Sequence, residues 1–179
     1  MVKTSRPANI FLTGFMGAGK STVGRMLAKE AGYGFADLDR LIVEREGMSI
    51  PEIFARYGED YFRDCETAAL ESRKGSAGMV FATGGGIVGR KENRSLMREM
   101  GVVVYLQASW PVLQERIGQG KGRPLADPEA GWEPVRLLWE GRRSWYEEAD
   151  LIIDTDRLKS RGVVVEIVTK LGLAGRSGC

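Results

Sequence analysis

Ile10-Phe11-Leu12-Thr13-Gly14-Phe15-Met16-Gly17-Ala18-Gly19-Lys20-Ser21 is the stretch on which the fold turns. Ile10 to Thr13 is brief, apolar and continuous, as a strand buried on both faces requires, and it stops at glycine. From Lys20 to Ala31 the pattern changes to a helical period, carried by Val23, Leu27 and Ala31, with Gly32 as the stop. Between the two lies the spacing G-x-x-x-x-G-K-S, Gly14 to Ser21. Its glycines allow a backbone to wrap a polyphosphate with N–H groups pointing inward, at the positive end of a helix. Gly17, Ala18, Gly19 and Thr22 belong to that cradle, Lys20 adds a charge for the outer phosphates, and Ser21 offers a hydroxyl to Mg²⁺.

The same alternation continues outward. Phe35 to Asp39 reads as a short strand running into a loop, and Met79 to Thr83, Val102 to Leu106 and Leu151 to Asp154 read as further strands. Ser49-Ile50-Pro51-Glu52 has capping-box spacing with proline in the first turn. Helices are expected over Glu59–Lys74, Arg90–Met100 and Trp110–Ile117, and Val164, Ile167, Val168 and Leu171 form a terminal helix face. Five apolar runs separated by helices predict an α/β fold with a five-stranded parallel sheet and helices on both faces. The Gly- and Pro-rich segment Gln119 to Trp132 breaks the rhythm and is expected to be a mobile lid.

Composition narrows the chemistry. The chain has 179 residues, 26 Lys+Arg against 24 Asp+Glu for a net charge of +2, and no histidine. A balance this even points neither to a nucleic-acid glove nor to a polybasic membrane anchor. Lacking histidine, the protein has no imidazole base, no triad built on one and few routes to a zinc site. Cys65 and Cys179 are its only cysteines, too few for a disulfide framework or a Cys-rich metal site. No run approaches the ~18 apolar residues of a membrane span, and a cytoplasmic setting is expected. Catalysis would rest on carboxylates, Lys, Arg, hydroxyls, backbone dipoles or a bound ion.

The remaining candidates sit where an open parallel sheet exposes its ligand crevice, at the carboxyl ends of strands. Asp37 and Asp39 share a side if strand geometry persists, one for a hydrated metal and the other for an acceptor hydroxyl; alone, such a pair is an ordinary solvated turn. Gly84-Gly85-Gly86 forgoes all side-chain packing directly after a strand, which suits close approach of backbone to a ligand, with Thr83 beside it. Arg63 follows two aromatics, Arg142 and Arg143 precede Trp145 and Tyr146, and Arg123 falls in the expected lid. Arginine suits bidentate binding of carboxylate or phosphate, although most arginines in any chain are surface charges.

In order, GFMGAGKST, DLD, SIPEIFARYGEDYFR, ATGGGIV, GRPL and RRSWYEEAD resemble the shikimate kinase family, over about Ile10 to Asp154. The triplet and the Phe62-Arg63 element separate the pattern from gluconate kinases, which share the cradle. The resemblance implies a three-layer α/β/α P-loop kinase, a single domain over 1–179, with a substrate-binding segment at about 38–66 and a lid at about 118–132. It implies transfer of the ATP γ-phosphoryl to the 3-hydroxyl of shikimate, with Mg²⁺, by a monomer without nucleic-acid or membrane partners. By the same resemblance Lys20, Asp39 and Arg123 are catalytic, and Asp37 acts with Ser21 through the metal shell. Asp39, Gly84, Gly85 and Gly86 meet the acceptor hydroxyls, Arg63 and Arg143 clamp its carboxylate, and Phe54 and Phe62 wall the pocket. Arg116 lies along the adenine, and Arg123 reaches the phosphates. The lid departs from the common Arg-Pro-Leu-Leu in having Ala126 at the fourth place. A kinase of another small hydroxylated acceptor, or a non-catalytic nucleotide-binding module, is the alternative.

Overall fold

The central strand β1, Asn9–Thr13, is buried along its whole length. That burial follows from pairing on both edges: Ile10 lies opposite Val80 of β3, Met79–Ala82, and opposite Val102 of β4, Val102–Gln107. Phe11 and Phe81 stack across the first of these pairings with centroids 4.9 Å apart. β2, Gly34–Asp37, and β5, Leu151–Asp154, close the two edges, giving an all-parallel sheet in the order β2-β3-β1-β4-β5. The expected five parallel strands are therefore present in this computed structural model, which describes residues 6–118 and 131–173.

Helix placement follows from handedness. The crossover from β1 to β2 through α1, Lys20–Ala31, runs toward one edge, and every later crossover runs toward the other. Right-handed connections then put α1 on one face and the intervening helices on the opposite face. The terminal helix α7, Ser160–Lys170, returns to pack against α1. The other face carries α3, Ile50–Glu71, and α4, Lys91–Met100, which pack on each other. It also carries α6, Glu133–Tyr146, against the short 3-10 turn Ile87–Gly89. Connections leave β1 and β3 in opposite senses, so the crevice of an open α/β sheet opens at their carboxyl ends. Among the described residues no helix is long and apolar enough to cross a membrane.

Three elements differ from the sequence expectation. Strand geometry does not persist past Asp37, because α2, Leu38–Glu46, starts at once with Asp37 as its N-cap. Asp39 therefore sits in a first helical turn, where a carboxylate is favoured by the helix dipole, rather than beside Asp37 on one strand face. Helix α3 begins at Ile50, not Glu59; its capping box is formed, with the Glu52 N–H donating to Ser49 Oγ and the Ser49 N–H donating to Glu52. Gly58 interrupts α3 with φ 82° and ψ 179°. Below that kink a separate small core gathers Ile42, Ile53, Phe62, Cys65 and Ala69, with Met48, Ile50 and Phe54 at its margin.

Helix α6 had no counterpart in the pattern. Its inward residues are Val135, Arg142 and Tyr146, and an arginine at a core-facing position hides the apolar period. Before it, α5, Trp110–Gly118, has the expected extent to within one residue. The expected lid residues 119–130, with Arg123 and Ala126, lie outside the described residues.

Candidate active site

The loop leaving β1 needs its glycines. Gly14 has φ 143°, and a Cβ there would meet the Leu106 carbonyl oxygen at 2.8 Å; Gly17 and Gly19 have φ 83° and 90°. Those left-handed values are costly for L side chains. With them, the loop curls over the start of α1, and Lys20 Nζ donates back to the carbonyls of Gly14 at 2.8 Å and Phe15 at 3.1 Å. Ala18 is buried and ties the loop through its N–H to the Phe15 carbonyl. Ser21 Oγ donates to Asp37 Oδ2 at 2.6 Å, which joins the helix start to the end of β2.

A cavity of about 780 Å³ extends from this loop, lined by Gly17, Gly19, Lys20, Ser21, Thr22, Asp37, Asp39, Phe54, Phe62, Arg63, Gly84, Gly85 and Gly86. The structure thus brings together most of the residues singled out from the sequence. Thr83 lines it too, and its hydroxyl donates to the Leu12 carbonyl at 3.0 Å, bridging β3 to β1. Glu66, not singled out from the sequence, and Arg142, noted there without an assigned role, also line it.

At one end the cavity is cationic. Arg63 Nη1 donates to Glu66 Oε2 at 2.7 Å, Nη2 donates to Glu59 Oε1 at 2.8 Å, and the guanidinium lies 5.4 Å from the centre of the Phe62 ring. Arg142 approaches from α6 and is 8% exposed. A Cβ on Gly86 would overlap the Arg63 guanidinium, so this glycine makes room for it. Acidic groups stand directly beside these arginines. A Cβ on Gly84 would come within 2.7 Å of both Asp39 Oδ1 and Glu66 Oε1. Both of these buried oxygens lack a hydrogen-bond partner within the protein. Burial raises the pKa of Asp39, Lys20 opposes this, Asp37 reinforces it, and Arg63 opposes it. Burial also pushes Glu66 up to about 7, against the pull of Arg63. Asp39 and Glu66 both line the cavity, and carboxylates accept hydrogen bonds from a polyhydroxylated ligand.

Arg143 is a correction. Adjacent positions on a helix point about 100° apart, and the one facing the cavity is Arg142. Arg143 lines a different cavity of about 540 Å³ with Trp139 and Asp154, lies 5.3 Å from the Trp139 ring centre and pairs with Glu147. The signal in the sequence was Arg142's place on one stripe with Val135 and Tyr146. Arg116 lies beside the cradle: a Cβ on Gly17 would meet Arg116 Cβ at 3.6 Å, and its guanidinium donates to Thr155 Oγ1 and the Thr155 carbonyl.

A family model described as shikimate kinase matches residues 16–172. The chain belongs to the shikimate kinase family. It is 51% identical over 161 residues to a shikimate kinase of Geobacter sulfurreducens, covering 90% of this chain and 89% of that one. It is 46% identical to another from Geobacter metallireducens, covering 89% of each. A solved shikimate kinase from Acinetobacter baumannii in complex with shikimate superposes with a TM-score of 0.87 at 36% identity, covering 98% of this chain and 97% of that one. The gluconate kinases set apart by the triplet share the fold: a gluconokinase from Sinorhizobium meliloti aligns with a TM-score of 0.62 at 24% identity.

Proposed function

We propose that the protein transfers the γ-phosphoryl of ATP to the 3-hydroxyl of shikimate, giving shikimate 3-phosphate and ADP. The observation that carries this reading is the polarity of the cavity beside the phosphate cradle. A small carboxylate bearing hydroxyls matches arginines set beside the carboxylates of Asp39 and Glu66 and bare glycine backbone.

In this reading the backbone N–H groups of Gly17, Ala18 and Gly19 hold the triphosphate, and Lys20 turns from the loop carbonyls toward the outer phosphates. Arg63 and Arg142 take the shikimate carboxylate, Phe54 and Phe62 wall the ring, and Asp39 accepts from the hydroxyl that reacts. That oxygen bonds to the γ-phosphorus while the bond to the β–γ bridging oxygen breaks, and its proton passes to Asp39. Burial has already raised the proton affinity of this carboxylate. The segment 38–66 is the acceptor-binding unit, Arg116 flanks the adenine, and Arg123 of the expected lid neutralises transferring charge.

Among the described residues no trio of His, Cys, Asp or Glu could cage a metal by itself. The hard oxygens of Ser21 and Asp37, 2.6 Å apart, fit a Mg²⁺ that keeps waters and phosphate oxygens as its other ligands. Such an ion neutralises phosphate charge; the protein's part is to hold Ser21 and Asp37 in place. A monomer acting in the cytoplasm completes the reading.

Coupled ADP release with Mg·ATP, with and without shikimate, tests it, and Lys20→Ala serves as the blank. Shikimate-dependent release that disappears in the folded variant is expected. Nucleotide binding without acceptor-dependent release would overturn the reading in favour of a non-catalytic module, and release with another hydroxylated acid in place of shikimate would redirect it to that acceptor.

A further inference from the structure

The glycine triplet is built from the most pliable residues in the cavity, yet the chain before, within and after it is held by side chains. Thr83 fixes its start on β1. Beyond its end, Asn93 Nδ2 donates to the Ile87 carbonyl at 3.2 Å, and Arg94 Nη1 donates to the Val88 carbonyl at 2.7 Å. In between, the hydroxyl of Tyr146 donates to the Gly85 carbonyl. Tyr146 is buried, stacks on Tyr105 with centroids 5.1 Å apart at 14°, and does not itself line the acceptor cavity. It stands one helical turn after Arg142.

We propose that Tyr146 is a positioning residue for the acceptor: its single hydroxyl sets the Gly85–Gly86 peptide. The inference rests on the phosphoryl-transfer reading above. A trans peptide carries its C=O and N–H on opposite sides. Holding the Gly85 carbonyl on Tyr146 therefore turns the Gly86 N–H away from α6, toward the cavity that Gly86 lines. Without that anchor a run of three glycines rotates its peptides at little cost. The ring stacking serves the core, whereas the hydroxyl serves the acceptor, and the two roles separate experimentally.

Tyr146→Phe keeps the stack and removes the hydroxyl. Expected is a rise in shikimate KM of roughly tenfold, the effect of losing one well-placed hydrogen bond, with ATP KM unchanged and kcat within about twofold. Incorporation of 4-amino-phenylalanine at 146, which restores a donor, is expected to recover most of the lost affinity. Tyr105→Phe, a hydroxyl deletion in the same stack, is expected to leave both KM values alone. Wild-type turnover with shikimate is read first, so failure of the functional reading shows before any variant is compared. With wild type active, an unchanged shikimate KM in Tyr146→Phe overturns the proposal. So does an equal rise in ATP KM, and so does a variant that fails to fold, since the hydroxyl would then be holding the structure as a whole.

Discussion

Glu66 holds Arg63 from within the protein: its Oε2 accepts from Arg63 Nη1 at 2.7 Å, with the glutamate side chain 1% exposed and the arginine 15%. The arrangement leaves Glu66 Oε1 without a partner, facing Asp39 over Gly84. Burial raises the Glu66 pKa to about 7 from an ordinary 4.5 although Arg63 opposes the shift. In the pH interval between those values the folded protein binds a proton that the unfolded chain has released. Stability therefore falls as pH rises through this window, by on the order of 3 kcal/mol in all.

Glu66→Gln removes that titration while keeping the shape. The melting temperature of the variant minus that of wild type is expected to grow between pH 5 and pH 8, and a difference that stays constant across the range would refute the assignment. The shikimate KM of the variant should rise several-fold at pH 8, because ionised Glu66 is what aims Arg63.

Arg142 and Arg143 offer a test by neighbours. Arg142 faces the acceptor cavity and is nearly buried, while Arg143 is half exposed in another cavity and pairs with Glu147. Arg142→Ala is expected to raise shikimate KM at least about tenfold, the scale of losing a shielded charge partner. Arg143→Ala should change it by less than about twofold, as surface ion pairs contribute little. Steady-state kinetics on the two variants decides the matter; equal effects, or the reverse order, would move the carboxylate clamp.

Gly86→Ala probes space rather than backbone. Gly86 has φ −94° and ψ −11°, which alanine adopts freely, but its new methyl would occupy the place of the Arg63 guanidinium. The end of a long side chain moves without unfolding a protein. The variant should therefore melt within a few degrees of wild type while shikimate KM rises about tenfold or more and ATP KM stays put. A large loss of stability with unchanged KM would show that the glycine serves packing.

How much of this was legible in the sequence depended on whether the chemistry was local. The cradle, β1 and α1 were readable because glycine, lysine and the flanking hydrophobic periods all lie within some twenty consecutive residues. The capping box at Ser49 was readable for the same reason. Less so was α2, since Leu38 and Asp39 extend an apparent strand and Asp37, at the N-cap position, makes no side-chain capping bond that would mark a helix start. Helix α6 was hidden by Arg142, a charged residue on a buried stripe, and the resemblance alone placed its neighbour Arg143 at the acceptor. Glu66 looked like any solvated helix carboxylate. Its burial arises from Gly84 and Arg63 packing around it, a tertiary fact with no local mark.

The kink at Gly58 has a further consequence. In an unbroken helix, positions 54 and 62 would stand about 12 Å apart along the axis, yet the Phe54 and Phe62 rings lie with centroids 4.9 Å apart. The break folds the first turns of α3 back so that both rings wall one cavity, with Arg63 and Glu66 following directly. At φ 82° and ψ 179°, Gly58 occupies a region reserved for glycine although nothing crowds it. Gly58→Ala is thus expected to cost about 1–3 kcal/mol from backbone strain alone, at roughly 2–4 °C of melting temperature per kcal/mol. Relief of the strain by straightening α3 would draw Phe54 from Phe62, so the shikimate KM should rise alongside the fall in melting temperature. Thermal unfolding and kinetics on one preparation check both. A variant as stable as wild type would mean the kink is not imposed by this residue, and a destabilised variant with normal KM would mean the acceptor wall forms without it.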